Sequence, residues 1–328
     1  MTPWGWSIMA LLAGFVGLIW SADRFVEGSA ALARRLGVSK LVIGLTIVAF
    51  GTSAPEIMVS LSASLRDAGE LAVGNALGSN LANMGLVLAI TALLVALPIQ
   101  HHLLTRELPA LLIITLLAGY TLYDGQLTRP EGVLLMMALT ITLGALALTR
   151  RAHQEEVDDE IPDYTSLAAT FWFLIGLITL VISAELLVWG AQNLALAAGV
   201  SPLVVGLTVI AVGTSLPELA ASVGSALKGH HDMALGNIIG SNLFNLLAVM
   251  ALPGLIQEPV MDRQVFHRDY LAMAAMTFIL AIAIGVDYRL RRNAYTGSEE
   301  ARGHLGRLIA VALLAAYIGY YVWLFNSL

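Results

Sequence analysis

The segment Val38-Ser-Lys-Leu-Val-Ile-Gly-Leu-Thr-Ile-Val-Ala-Phe-Gly-Thr-Ser-Ala-Pro-Glu56 recurs, without a gap and 162 residues later, as Val200-Ser-Pro-Leu-Val-Val-Gly-Leu-Thr-Val-Ile-Ala-Val-Gly-Thr-Ser-Leu-Pro-Glu218. The same offset carries Gly74-Asn-Ala-Leu-Gly-Ser-Asn-Leu-Ala-Asn83 onto Gly236-Asn-Ile-Ile-Gly-Ser-Asn-Leu-Phe-Asn245. It also relates Ser21-Ala22-Asp23 to Ser183-Ala184-Glu185 and Arg106-Glu107 to Arg268-Asp269. Chance similarity between apolar helices matches Leu with Val; it does not keep polar residues in register. The halves are therefore copies of one another, and a repeat of this length governs the whole architecture.

Around this repeat the composition leaves few choices. Of 328 residues 58% are hydrophobic and 12% charged, against roughly 25% charged in a soluble domain. Apolar stretches such as Ile8–Trp20, Leu71–Ile99, Leu108–Leu122 and Leu305–Leu324 approach the ~20 residues that cross a bilayer as a helix. They are too long and too continuous for the ~10-residue alternating strands of a membrane barrel. The fold expected is all-α and polytopic, with helices near 5–32, 38–65, 70–97, 105–123, 128–149, 167–198, 200–227, 232–256, 265–285 and 305–327. Arg24 is the first basic residue, which leaves no charged n-region, so the first helix is expected to be retained. No cysteine is present and the net charge of -6 includes no basic stripe, so thiolate chemistry and nucleic-acid binding find no support.

The polar connector Arg150 to Ser166, with Glu155, Glu156, Asp158, Asp159 and Glu160, separates a first repeat at 1–149 from a second at 167–328. It is too short to fold as a regulatory domain. Five helices per copy is an odd number, so the second copy is expected to be inverted in the membrane, with helices 2 and 7 broken and the substrate site at the repeat interface. Arg34, Arg35, Lys40, Arg106, Arg150, Arg151, Lys228, Arg289, Arg291, Arg292, Arg302 and Arg307 fall on one side, and Arg66, Arg129, Arg263 and Arg268 on the other. The positive-inside rule then puts the first side in the cytoplasm and both termini outside, in a cell inner membrane.

Glu56 and Glu218 lie deep in apolar segments; Glu56 is 18 residues beyond Val38, about 27 Å at the helical rise. A carboxylate at that depth costs about 2.5–3.5 kcal/mol on insertion scales, which makes it a functional-site hypothesis. Pro55 and Pro217 force a helix break, expected to free carbonyls at Ala49, Thr52, Ala211 and Thr214. Ser53-x-x-Glu56 and Ser215-x-x-Glu218 also fit a capping box, which would leave Ser and Glu merely serving backbone amides. The oxygen-rich set Thr52, Ser53, Glu56, Ser79, Asn83 and its copy Thr214, Ser215, Glu218, Ser241, Asn245 suits hard cations such as calcium and sodium. Asn80 and Asn242 could equally bridge packed helices. Asp23 and Glu185 read as interfacial, and His101, His102, His230 and His231 as solvated loop residues.

These motifs resemble the cation/calcium exchanger superfamily, in particular its bacterial and archaeal sodium/calcium exchangers. Gly51-Thr-Ser-Ala-Pro-Glu56 and Gly213-Thr-Ser-Leu-Pro-Glu218, each followed by a Gly-Ser-Asn helix, look like that family's two alpha-repeats. The resemblance implies that Glu56 and Glu218 bind calcium with the backbone oxygens of Thr52 and Thr214. It implies that sodium also uses the Ala49 and Ala211 carbonyls and Ser53, Ser79, Asn83, Ser215, Ser241 and Asn245. It further implies that the first and sixth helices move. Several exchangers carry Asp where this chain has Asn245, which bears on stoichiometry, proton binding and selectivity.

The function expected is sodium/calcium antiport by alternating access, with the ions and the bilayer as partners, no cofactor and no obligate protein partner. Proton-coupled exchange of calcium or another divalent cation is the alternative, and a channel a more distant one. An enzyme is disfavoured: no His-Glu-x-x-His motif and no base beside Ser53 or Ser215 is evident.

Overall fold

The computed structural model describes residues 3–148, 164–199, 209, 211–292 and 303–326. The acidic connector falls outside the described residues up to residue 163, as does the segment 200–208 that opens the second motif. The described helices are α1 (Pro3–Leu36), α2 (Lys40–Thr52), α3 (Ala54–Leu65), α4 (Gly69–Leu94), α5 (Leu103–Leu122), α6 (Arg129–Leu148) and α7 (Ser166–Ala197). They continue with α8 (Ala211–Thr214), α9 (Leu216–Leu227), α10 (His231–Ile256), α11 (Val265–Arg289) and α12 (Arg307–Asn326). Among the described residues seven helices are long and apolar enough to cross a membrane, and eight if α2 and α3 form one broken span. One departure from an all-α chain is a short antiparallel ribbon pairing β1 (Leu97–Ile99) with β2 (Gly303–Leu305).

Local chemistry explains the boundaries. α1 ends with Arg34 and Arg35 in its last turn, favourable at the negative end of the helix dipole, and then Gly37 adopts φ +65°, a left-handed turn that glycine enters without steric cost. Ser39 and Thr165 accept the backbone amides of Val42 (3.3 Å) and Ala168 (3.2 Å), capping α2 and α7. Polarity is reversed relative to a soluble protein. Leu12, Phe15, Val16 and Ile19, at helical spacing on α1, are all more than half exposed, whereas Thr52, Ser53, Glu56, Glu218, Asn242 and Asn245 have no exposed surface. An apolar exterior over a polar interior fits lipid as the surrounding solvent.

The chain divides into two compact units. One holds Met1–Pro55 with Leu146–Asn237, the other Glu56–Ala145 with Ile238–Leu328. In the first, α1 and α7 pack along most of their length. A Cβ built on Gly28 would lie 2.4 Å from the Phe173 amide nitrogen, and one on Gly176 would lie 2.5 Å from that of Phe25. Likewise Gly14 faces the Ser183 carbonyl and Gly190 that of Ser7. Contact positions rise along α1 as they fall along α7, so the pair is antiparallel. Gly14 and Gly176, and Gly28 and Gly190, are related by the 162-residue repeat. Small residues here let two backbones approach; Phe25, Val26, Ile43, Phe173, Leu180 and Met233 fill the space beside them.

In the second unit α4 packs against α11, α12 and the later turns of α10. Tyr317 lies over Gly85, and Tyr270 lies over Gly119 while donating to the Thr115 carbonyl at 3.0 Å. Four helices widen into π-helical turns at repeat-related places: α4 at Asn83–Leu88 with α10 at Asn245–Val249, and α5 at Leu103–Glu107 with α11 at Val265–Tyr270. Such turns concentrate at functional sites.

Candidate cation site

Both glutamates occupy the first turn of a helix that starts beside a proline, α3 for Glu56 and α9 for Glu218. The proline lacks the amide that a continuous helix would need, and the start of the new helix favours a negative charge. Ser53 (φ -81°, ψ 7°) and Ser215 (φ -87°, ψ 3°) are the hinge residues. Neither behaves as a capping box requires. Ser215 makes no side-chain cap bond, and its buried hydroxyl has no hydrogen-bond partner among the described residues. The Ser53 hydroxyl donates instead to Glu218 Oε1 at 2.9 Å. A serine of the first motif thus serves the carboxylate of the second, and both are fully buried.

Asn237 supports this arrangement within the first unit. Its Oδ1 accepts the Thr52 hydroxyl at 3.1 Å, and its Nδ2 donates to the Glu218 carbonyl at 3.3 Å and to Ser222 Oγ at 2.9 Å. In the second unit the repeat-related Asn75 donates to the Glu56 carbonyl at 3.1 Å, and Ser79 Oγ donates to Glu56 Oε1 at 3.4 Å. Asn75 and Asn237 were absent from the residues expected at the site, although both stand inside the repeated Gly-Asn segment. Asn83 and Asn245 open the two π-turns, buried, and neither end of either amide has a hydrogen-bond partner among the described residues. Ser241 is buried one turn before Asn245, Thr214 is partly buried at the end of α8, and Ala211 begins that helix.

Two expectations need correction. The Ala49 carbonyl is not freed by the break: it accepts the Ser53 amide at 3.0 Å, because the helix continues through Thr52 before turning, and lies 3.3 Å from the Thr52 hydroxyl, whose single proton it shares with Asn237 Oδ1. The second copy differs, with the Ser215 amide reaching Val212 at 3.2 Å rather than Ala211. Nor are all the histidines solvated. His230 is buried with Nδ1 3.1 Å from Lys40 Nζ, and His102 lies 3.2 Å from the buried Glu107. Asp23 pairs with Lys228, which also reaches Glu27 at 2.9 Å, whereas Glu185 is exposed.

Each unit by itself buries a carboxylate among hydroxyls and amides, and with no thiolate anywhere in the chain these are donors suited to hard cations. The family model for sodium/calcium exchanger proteins matches residues 6–147 and 168–326, nearly all of both repeats. The chain belongs to the sodium/calcium exchanger family. Two relatives are similar over most of their own length. CaxA of Alkalimonas amylolytica is 45% identical over 325 residues, covering 97% of this chain and 98% of its own. The sodium/calcium exchanger MaX1 of Methanosarcina acetivorans is 31% identical, covering 87% of this chain and 93% of its own. Among solved structures, the sodium-calcium exchanger NCX_Mj soaked with 10 mM Na+ and 10 mM Sr2+ superposes with a TM-score of 0.81 at 30% identity, covering 97% of this chain and 98% of that one. Membership makes this chain a multi-pass membrane transporter of the cation/calcium exchange type and not an enzyme.

Proposed function

We propose that the chain exchanges sodium for calcium across the inner membrane by alternating access. Ten transmembrane helices form two inverted five-helix repeats, residues 1–149 and 167–328, joined by an acidic cytoplasmic connector at 150–166, with both termini outside. Glu56 and Glu218 neutralise one calcium ion, helped by the backbone oxygens of Thr52 and Thr214. Sodium uses overlapping sites that add the Ala49 and Ala211 carbonyls, Ser53, Ser215, Ser79, Ser241, Asn83 and Asn245. An ion at the Ala49 carbonyl would use its second lone pair beside the Ser53 amide and leave the Thr52 hydroxyl to Asn237. Competition between the ions supplies the coupling, since a ligand shifts an equilibrium only through differential affinity for its states.

One observation carries this reading: Ser53 of the first motif donates to the buried carboxylate of Glu218 in the second, at 2.9 Å. Two separately folded capping boxes would have no use for that contact, whereas a shared site requires the motifs to meet. The antiparallel glycine seam between α1 and α7 supports the inversion. MaX1, matched over most of its length, carries the name of a sodium/calcium exchanger.

The test is calcium-45 uptake into proteoliposomes loaded with sodium, compared with equimolar potassium or choline, for the wild type and for Glu56→Gln and Glu218→Gln. Sodium-dependent uptake abolished in both variants is the expected result. Uptake indifferent to internal sodium but driven by a pH gradient would replace this reading with proton-coupled exchange.

A further inference from the structure

Asn80 and Asn242 occupy the same place in the two repeats, and sequence alone leaves both free to be helix-bridging residues. The structure separates them. Asn80 Nδ2 donates to the Asn242 main-chain carbonyl at 3.3 Å, a bridge between α4 and α10 in the second unit. Repeat symmetry would give Asn242 the reciprocal bond. It has none: both Asn242 Nδ2 and Oδ1 are buried without a hydrogen-bond partner among the described residues, and the residue has no exposed surface. Helix bridging therefore accounts for the Asn80 Nδ2 and for the backbone carbonyl of Asn242, but leaves both ends of the Asn242 amide unexplained. A buried amide in that position bears the full desolvation penalty of two polar groups unless something else satisfies them.

Its surroundings indicate what that is. Asn242 follows Ser241 directly and lies one helical turn before Asn245, whose amide is likewise buried without a partner among the described residues. These are neutral, hard oxygens, the kind that coordinates alkali and alkaline-earth cations. A divalent ion needs the charge of the glutamates; a group of neutral amides suits an ion of single charge.

We infer that Asn242 is a further substrate-contacting residue, its side-chain carbonyl ligating the transported sodium ion, while Asn80 serves as the helix bridge. The inference rests on the sodium-exchange reading above. An ordered water satisfying Asn242 is the competing account.

The experiment compares full-length Asn242→Ala, Asn242→Ser and Asn80→Ala with the wild type. Proteoliposome calcium-45 uptake is titrated with sodium and with calcium, and the purified proteins are melted across a sodium series. In Asn242→Ala the sodium concentration for half-maximal effect rises about fivefold or more, the scale of losing one ligand, while that for calcium stays within about twofold. The same rightward shift appears in the sodium dependence of the unfolding temperature, a binding readout independent of transport. Asn80→Ala does the reverse, lowering the unfolding temperature in every condition with both ion dependences unchanged. A wild-type sodium dependence in Asn242→Ala, or in Asn242→Ser should the alanine variant not fold, overturns the inference in favour of water. A wild type that itself shows no sodium response removes the exchange reading, and this inference with it.

Discussion

Replacing Glu218 with glutamine should produce two thermal effects of opposite sign. Gln matches Glu in size, and its carbonyl can keep accepting the Ser53 hydroxyl at 2.9 Å, so the change removes the charge and little else. The residue has no exposed surface. Without cations, an ionised side chain held there is costly, and a neutral isostere should leave the unfolding temperature equal or higher. With calcium the comparison reverses. At a concentration 100 times the dissociation constant, binding stabilises a protein by about 2.7 kcal/mol. At about 2–4 °C per kcal/mol for chains somewhat shorter than this one, that is a rise of about 5 °C in the wild type. Glu218→Gln should lose that rise. The assay is thermal unfolding of the detergent-solubilised protein with calcium and with chelator. A variant that keeps the full calcium-induced rise would refute the ligand role of Glu218. One that melts well below the wild type in chelator would show the charge to be structural.

Asn237→Ala removes partners of Thr52, Ser222 and the Glu218 carbonyl; at about 1 kcal/mol per hydrogen bond, plus the space left, it should cost about 2–4 kcal/mol in thermal unfolding and depress transport. Gly28→Ala puts a methyl 2.4 Å from backbone of α7, where neither helix can yield locally, and should destabilise by about 1–3 kcal/mol. Gly144→Ala, with open space around the new methyl, should instead stabilise by about 0.5–1 kcal/mol through helix propensity, measured by the same melts. Lys228→Met breaks pairs with Asp23 and Glu27 whose side chains keep 42% and 22% exposure; the loss should be about 1 kcal/mol or less and shrink further in high salt.

The repeat and the two motifs were sufficient to place the glutamates in buried helix starts and to place the helix break, because both depend on residue type and spacing. The break at Ser53 follows from Pro55 alone. Side-chain direction does not follow from type. Asn75 and Asn237 were visible inside a repeated segment, yet nothing in that segment says that their amides reach the carbonyls of Glu56 and Glu218 rather than a neighbouring helix. The amide that Pro55 lacks is the partner of the carbonyl four residues back, Gly51; the Ala49 carbonyl belongs to the Ser53 amide, which is present and engages it. His230 reads as a loop residue by its neighbours Gly229 and His231; its contact with Lys40, 190 positions away, cannot be read from that neighbourhood. Leu97-Pro98-Ile99 reads as the frayed end of an apolar helix, and only a partner from the far end of the chain makes it a strand.

The widened turns at Asn83–Leu88 and Asn245–Val249 carry a historical consequence. A π-turn absorbs one residue more than the α-helix around it, so deleting a single residue there would close the bulge and leave the later side chains facing as before, whereas the same deletion in a regular α-helix would rotate them by about 100°. Both copies of the repeat hold the extra residue at the same offset, and two independent insertions at one position are a poor explanation of that match. One insertion older than the duplication accounts for both bulges more simply than two later ones.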